Sequence, residues 1–249
     1  MIGRRKEIQE LNELYSSGRS EFVAIYGRRR VGKTYLVDQV FKERIAFRHT
    51  GLSPVENSIK SGDGILRAQL RAFHEAMLRQ GMRADHCPAD WQEAFYMLSM
   101  ALQEKDDGTR QLIFLDELPW MDTPRSLFIT ALEGFWNGWG CHRPNFMLIV
   151  CGSANSWIQD KLINNHGGLY GRLTYQIKLS PFTLRECEEF YVSRGIDFSR
   201  YDIVQSYMML GGIPYYMGYL RRQYSLAQNI DTMFFSRVAP LRDEFDRLF

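Results

Sequence analysis

Gly27-Arg28-Arg29-Arg30-Val31-Gly32-Lys33-Thr34 fits the spacing GxxxxGK(S/T). Glycines at the fixed positions let a backbone curl until successive N–H groups point at one set of phosphate oxygens. A helix starting at the lysine adds its positive N-terminus. Gly27, Arg30, Val31, Gly32, Lys33, Thr34 and Tyr35 would then surround a polyphosphate. Lys33 would reach the β- and γ-phosphates, and the Thr34 hydroxyl would hold Mg²⁺. At average residue usage the pattern arises by chance in about 1 of 100 chains of this length. The competing reading is a glycine turn with solvated basic residues. Arg28 to Arg30 either add positive potential around a triphosphate or face solvent, and both readings stay open.

Leu112-Ile113-Phe114-Leu115 delivers a carboxylate pair, Asp116-Glu117. Acids at the C-terminal end of a buried strand lie where open α/β sheets bind their ligands. Asp116 would hold Mg²⁺ through water, and Glu117 would orient and polarise an attacking water. On its own such a pair also suits a solvated turn. Phe146–Cys151 is a further apolar run, ending in Gly152-Ser153-Ala154-Asn155-Ser156. A polar side chain at that tip could sense a γ-phosphate. Ser153 is the choice, Asn155 and Ser156 are rivals, and a plain helix N-cap is the alternative. Gly171-Arg172 precedes the last strand. Arg172 is either an exposed arginine or a guanidinium offered to a γ-phosphate, in a neighbouring subunit or in cis.

The elements that must position these residues alternate short apolar runs with helical periodicity, which predicts an α/β fold with a mostly parallel sheet. Residues 6–15 read as a helix with Ile8, Leu11 and Tyr15 on one face. Residues 22–26, 44–49, 112–115, 146–151 and 175–179 read as strands, and 34–42 as a helix. The last three strands are expected to be covered on both faces. Leu66, Leu70, Phe73 and Met77, then Trp91, Phe95, Leu98 and Leu102, mark two longer helices whose stripes face the core. After Pro181 the character changes. Thr183 with Glu186 makes a capping box, and helices broken at Gly195, Gly211-Gly212 and Pro240 follow. The division expected is a core over 1–180 and a helical lid over 181–249, the chain stopping at Phe249 inside an amphipathic pattern, as though cut from something longer.

Composition narrows the function classes. The 249 residues are 45% apolar and 24% charged, which excludes collagen-like, coiled-coil and disordered chains. A net charge of +2 is too weak to argue for a protein that coats nucleic acid. The four cysteines are scattered, with no CxxC, and the five histidines share no metal-site spacing, so neither zinc nor disulfides are expected. The tryptophans 120, 136, 139 and 157 suit core or interface packing better than base stacking. No apolar run approaches a membrane span and no signal peptide opens the chain. A soluble, cytoplasmic protein is expected.

Ile2-Gly3-Arg4-Arg5-Lys6-Glu7 resembles the hydrophobic-GRxxE opening of signal-transduction ATPases of the STAND class. The three-arginine phosphate loop, Leu115-Asp116-Glu117-Leu118-Pro119-Trp120, the GSxxS after the fourth strand and the GR before the fifth are similar to the archaeal-type ATPase family, related to the origin-recognition AAA+ ATPases. Gly212-Ile213-Pro214 resembles the GxP motif of that class. The likeness covers residues 2 to about 217. It implies sheet order 5-1-4-3-2, Gly3 and Arg4 beside the base, Pro214 packed on the adenine, and nucleotide gripped between core and lid. Relatives usually continue into winged-helix or nuclease-like regions, none of which is present here.

The function expected is that of an ATP- and Mg²⁺-binding P-loop ATPase, turning over slowly as a conformational switch. ATP and ADP would be its ligands, with a homo-oligomer and a C-terminal or separate protein partner as possible company. Three alternatives stand beside it. The first is a nucleic-acid-handling AAA+ ATPase, although the local surplus of +4 over residues 1–35 suits ATP and need not touch DNA. A P-loop kinase is opposed by the adjacent Asp116-Glu117. A nucleotide-binding scaffold without useful turnover is the third.

Overall fold

The computed structural model describes residues 2–53, 62–153, 155–164, 167–242 and 244. Five parallel strands form one sheet in the order β2-β3-β4-β1-β5, which is 5-1-4-3-2 from the other edge. They are β1 (Glu21–Tyr26), β2 (Ile45–Thr50), β3 (Gln111–Asp116), β4 (Phe146–Gly152) and β5 (Tyr175–Lys178). Every residue of β1, β3 and β4 is buried, as parallel strands between helical layers require. β5 departs from expectation. It is an edge strand on which Ile177 alone is buried, so residues 175–179 are covered on one side only.

The helices before the boundary at Leu179 are α1 (Arg5–Tyr15), α2 (Lys33–Phe41), α3 (Gly62–Arg79), α4 (Trp91–Glu104), α5 (Leu118–Met121), α6 (Phe128–Gly138) and α7 (Asn155–Ile158). On α1 the buried positions are Leu11 and Leu14, while Tyr15 packs its ring 5.3 Å from Phe41. The stripes of α3 and α4 meet in an aromatic cluster: Phe73 lies 5.5 Å from Trp91, and Trp91 5.0 Å from Phe128 on α6. Burying each such side chain contributes about 1.5–3 kcal/mol. Burial pushes His49 on β2 down to about 4, so it sits neutral against Phe73. The sequence reading passes over α6, although Phe128, Ala131, Leu132, Phe135 and Trp136 recur at helical spacing and are buried. The helix starts from a left-handed Leu127 with no side-chain cap, so the usual start signal is missing.

The chain divides into two compact units. One is Lys6–Arg28 with Lys33–Leu179; the other is Met1–Arg5, Arg29–Gly32 and Ser180–Phe249. The second holds α8 (Leu184–Ser193), α9 (Arg200–Leu210), α10 (Pro214–Met217) and α11 (Leu226–Ile230). Capping boxes start α8 at Thr183/Glu186, α9 at Ser199/Asp202 and α11 at Ser225/Gln228. Its own core gathers Phe182, Phe190, Tyr191, Ile213 and Met217. Among the described residues, no helix is long and apolar enough to cross a membrane. The four cysteines are free.

Candidate functional site

Sheet register assembles the first half of the site. Ala24 pairs with Val150, and Val150 with Leu115. From that level β3 ends one residue further along, at Asp116, and β1 and β4 two, at Tyr26 and Gly152, so the phosphate loop, Gly152-Ser153 and Asp116-Glu117 leave the sheet at one edge. Gly27 leaves β1 with φ +154, and a Cβ there would overlap the Leu179 carbonyl oxygen. Gly27→Ala is therefore expected to cost about 1–3 kcal/mol of stability. A thermal melt checks it, and an unchanged melting temperature would mean that the backbone yields without strain.

Lys33 opens α2 and is 6% exposed. Its Nζ donates to the carbonyl oxygens of Gly27 and Arg28, each at 3.1 Å. The Thr34 hydroxyl donates to Asp116 Oδ2 at 2.6 Å. Burial raises the Asp116 carboxyl, although the Thr34 hydrogen bond opposes that. A buried carboxylate beside a hydroxyl is an oxygen donor pair of the kind Mg²⁺ prefers, and a cation there would offset the desolvation. The residues present thus fit the metal.

Glu117 has φ 48 and ψ 49, a left-handed conformation uncommon for a side-chain-bearing residue. Its amide donates to Asp116 Oδ1 at 2.9 Å. Its Oε2 accepts from the Ser153 hydroxyl at 2.8 Å and the Ser153 amide at 3.2 Å. Of the three tip residues, Ser153 reaches the acidic pair, Ser156 is exposed, and the Asn155 side chain lies outside the described residues, as do His166 and Phe249. One contributor was not foreseen. A Cβ at Gly51 would stand 2.9 Å from the Glu117 carbonyl oxygen, so the glycine after β2 admits the Glu117 turn. Its sequence signal was a glycine directly after a strand. Tyr35 is 56% exposed on α2, and Arg172 is exposed in the turn ahead of β5.

The remaining candidates belong to the second unit. Gly3 and Arg4 both have positive φ, +60 and +59. Arg4 is 6% exposed, and its guanidinium donates to the carbonyl oxygens of Ser180 at 2.5 Å and Val31 at 3.3 Å while lying 4.9 Å from the Phe182 ring. Its amide donates to Glu186, the same carboxylate that caps α8. Arg30 pairs with Glu244 and lies 4.5 Å over the Tyr215 ring. Gly32 takes φ +93. Pro214 starts α10, in a segment tied back by the Phe182 amide to the Gly212 carbonyl at 2.8 Å. Among the described residues no group of three or more His, Cys, Asp or Glu could hold a metal.

A GxxxxGKT loop between a central strand and a helix, with an acidic pair ending the strand two places away in a 5-1-4-3-2 sheet, defines the P-loop nucleotide-hydrolase fold. The chain belongs to the family of ATPase domains found predominantly in Archaea, whose sequence profile matches residues 1–220. It is 29% identical over 222 residues to an uncharacterised protein of Methanocaldococcus jannaschii, covering 87% of this chain and 43% of that one. The chain thus spans less than half of that relative's length. Among solved structures it is similar to the Walker-type ATPase of Pyrococcus abyssi, with TM-score 0.64, 17% identity, and 93% of this chain and 71% of that chain covered. The Aeropyrum pernix ORC2 protein in its ADPNP–ADP complexes gives TM-score 0.52 and 18% identity over 83% of this chain and 57% of that one. A STAND protein with a tetratricopeptide-repeat sensor from Pyrococcus horikoshii gives 0.51 and 14%, over 95% and 33%. At these identities the structural likenesses speak for the fold.

Proposed function

We propose that this ATPase domain binds Mg²⁺·ATP at the phosphate loop and hydrolyses the β–γ bond slowly, as a conformational switch of signalling type. The observation that carries this reading is the unbroken hydrogen-bonded series Thr34–Asp116–Glu117–Ser153 beside the loop lysine. Lys33 and the loop amides bind the phosphates, Thr34 and Asp116 hold the metal, and the metal neutralises phosphate charge when bound. Glu117 takes the proton of the water whose oxygen attacks the γ-phosphorus. The bond to the β-phosphate oxygen breaks, and ADP and phosphate leave. Ser153 holds the Glu117 carboxylate and senses the γ-phosphate. Residues 1–180 supply the ATPase core, apart from Met1–Arg5 and Arg29–Gly32, which group with the lid of residues 181–249, and Gly3, Arg4 and Pro214 serve the base side. Phosphate release with and without EDTA tests the reading, and metal-independent turnover would overturn it.

In the same reading Arg172 serves a neighbouring subunit. It precedes the start of edge strand β5, whereas the phosphate loop follows the end of the paired parallel strand β1, so the two leave opposite ends of that pair. Specific activity should rise with protein concentration, and Arg172→Ala should remove that rise while leaving ATP affinity nearly intact. Mixing Arg172→Ala with Glu117→Gln subunits should restore some hydrolysis. Concentration-independent turnover that survives Arg172→Ala would sink the assignment. The nucleic-acid-handling alternative gains nothing from a net charge of +2. Salt-dependent binding of duplex DNA by this chain would favour it.

A further inference from the structure

Arg30 stands in the phosphate loop with φ +70, a backbone state that glycine adopts freely and an L side chain resists. Such a residue persists where its surroundings over-determine it. The surroundings are all in the compact unit that includes Arg29–Gly32. The Arg30 guanidinium pairs with the Glu244 carboxylate, donates to the Tyr216 hydroxyl at 3.4 Å, and lies 4.5 Å and 5.5 Å over the rings of Tyr215 and Tyr216. The Tyr216 hydroxyl donates to Glu244 Oε1 at 3.1 Å, completing a triangle. Glu244 is 9% exposed, so its carboxylate is held away from water by the two partners that satisfy it. The side chain of Arg30 is therefore fixed from outside the loop, and its backbone with it.

We propose that Glu244, together with Tyr215 and Tyr216, is a positioning residue for nucleotide binding: by gripping Arg30 it locks the phosphate loop in its left-handed turn before ATP arrives. The inference rests on the ATP-binding reading above and extends it to a segment that sequence motifs do not mark. Charge on Glu244 is what the grip requires, since a charge-assisted pair is roughly twice as strong as a neutral one. A loop left to sample other turns must be ordered at the moment of binding, which lowers affinity.

The test is a cycle on the full chain with Glu244→Gln and Arg30→Gly, read by calorimetric titration with Mg²⁺·ATP and by amide hydrogen exchange without nucleotide. Glu244→Gln is expected to raise the Kd for ATP about tenfold, the equivalent of about 1.4 kcal/mol. It should also speed exchange at the amides of residues 29–32. In the Arg30→Gly background the same substitution should change the Kd less than about twofold, because glycine holds the turn without an anchor. Tighter ATP binding in Glu244→Gln would overturn the proposal, since the carboxylate would then be competing with phosphate. So would an unchanged Kd, or a tenfold loss that persists in Arg30→Gly, which would mark a general loosening of the helical unit. Absence of ATP binding by the wild-type chain would sink the ATP reading itself. The exchange rates at 29–32 would still report whether Glu244 holds the loop.

Discussion

Lys33→Ala is expected to lower ATP affinity by about 100-fold or more, to the point where calorimetry detects no binding. Lys33, the first residue of α2, is 6% exposed, and its ammonium lies against the Gly27 and Arg28 carbonyl oxygens. Those contacts place it inside the curl of the loop, on the side where phosphate oxygens would lie. A point charge there makes two or more charge-assisted contacts to a triphosphate, each worth about 1.5–3 kcal/mol. Alanine removes them all, and the first turn of α2 presents no other lysine or arginine to take over. Alanine also removes the two bonds to the loop carbonyls, so the melting temperature should fall by about 5 °C or more. Affinity within twofold of wild type would show that the loop does not hold phosphate. Loss of folding would point to a brace instead, and Lys33→Met, which keeps the aliphatic stem, separates the two outcomes.

Local patterns made part of this molecule legible, and non-local ones hid the rest. A continuous apolar run ending in acids needs only its own residues to be read, so β1, β3, β4, the phosphate loop and Asp116-Glu117 follow from the sequence. β5 lies at the sheet edge as the resemblance implies, but the sequence reading covers it on both faces, whereas Tyr175–Lys178 alternates polar residues with the one buried Ile177. The start of α6 hides in a left-handed Leu127, a conformation that no residue type announces. The Ser153–Glu117 contact spans 36 residues and the Arg30–Glu244 pair spans 214. Separations of that size leave no periodic trace. The grouping of Arg29–Gly32 with Ser180–Phe249 likewise arises from tertiary partners such as the Arg4 bond to Val31. By sequence the three arginines suit either added positive potential around a triphosphate or solvated charge. Arg30 shows a third use, as an anchor.

Glu117→Gln should preserve ATP affinity while cutting hydrolysis by about 10²–10⁴-fold, so that the bound triphosphate accumulates. The side chain is placed by its backbone, since the left-handed turn at φ 48 is admitted by Gly51 and fixed by the amide bond to Asp116. Its Oε2 accepts from both the hydroxyl and the amide of Ser153. A glutamine oxygen can accept the same two bonds, so the substitution keeps shape and position and removes one property, the capacity to take a proton from water. Asp116→Asn provides the contrast. Asp116 meets Thr34 at 2.6 Å, so its amide should weaken Mg²⁺-dependent ATP binding rather than the proton step. The two neighbours therefore separate on different axes, one in turnover and the other in the metal dependence of affinity. Radiolabelled nucleotide recovered after gel filtration reads the trap directly: ATP from Glu117→Gln, ADP from wild type. Recovery of ADP from Glu117→Gln at the wild-type rate would move the base to another group, and Ser153, the residue that touches it, would be the next to replace.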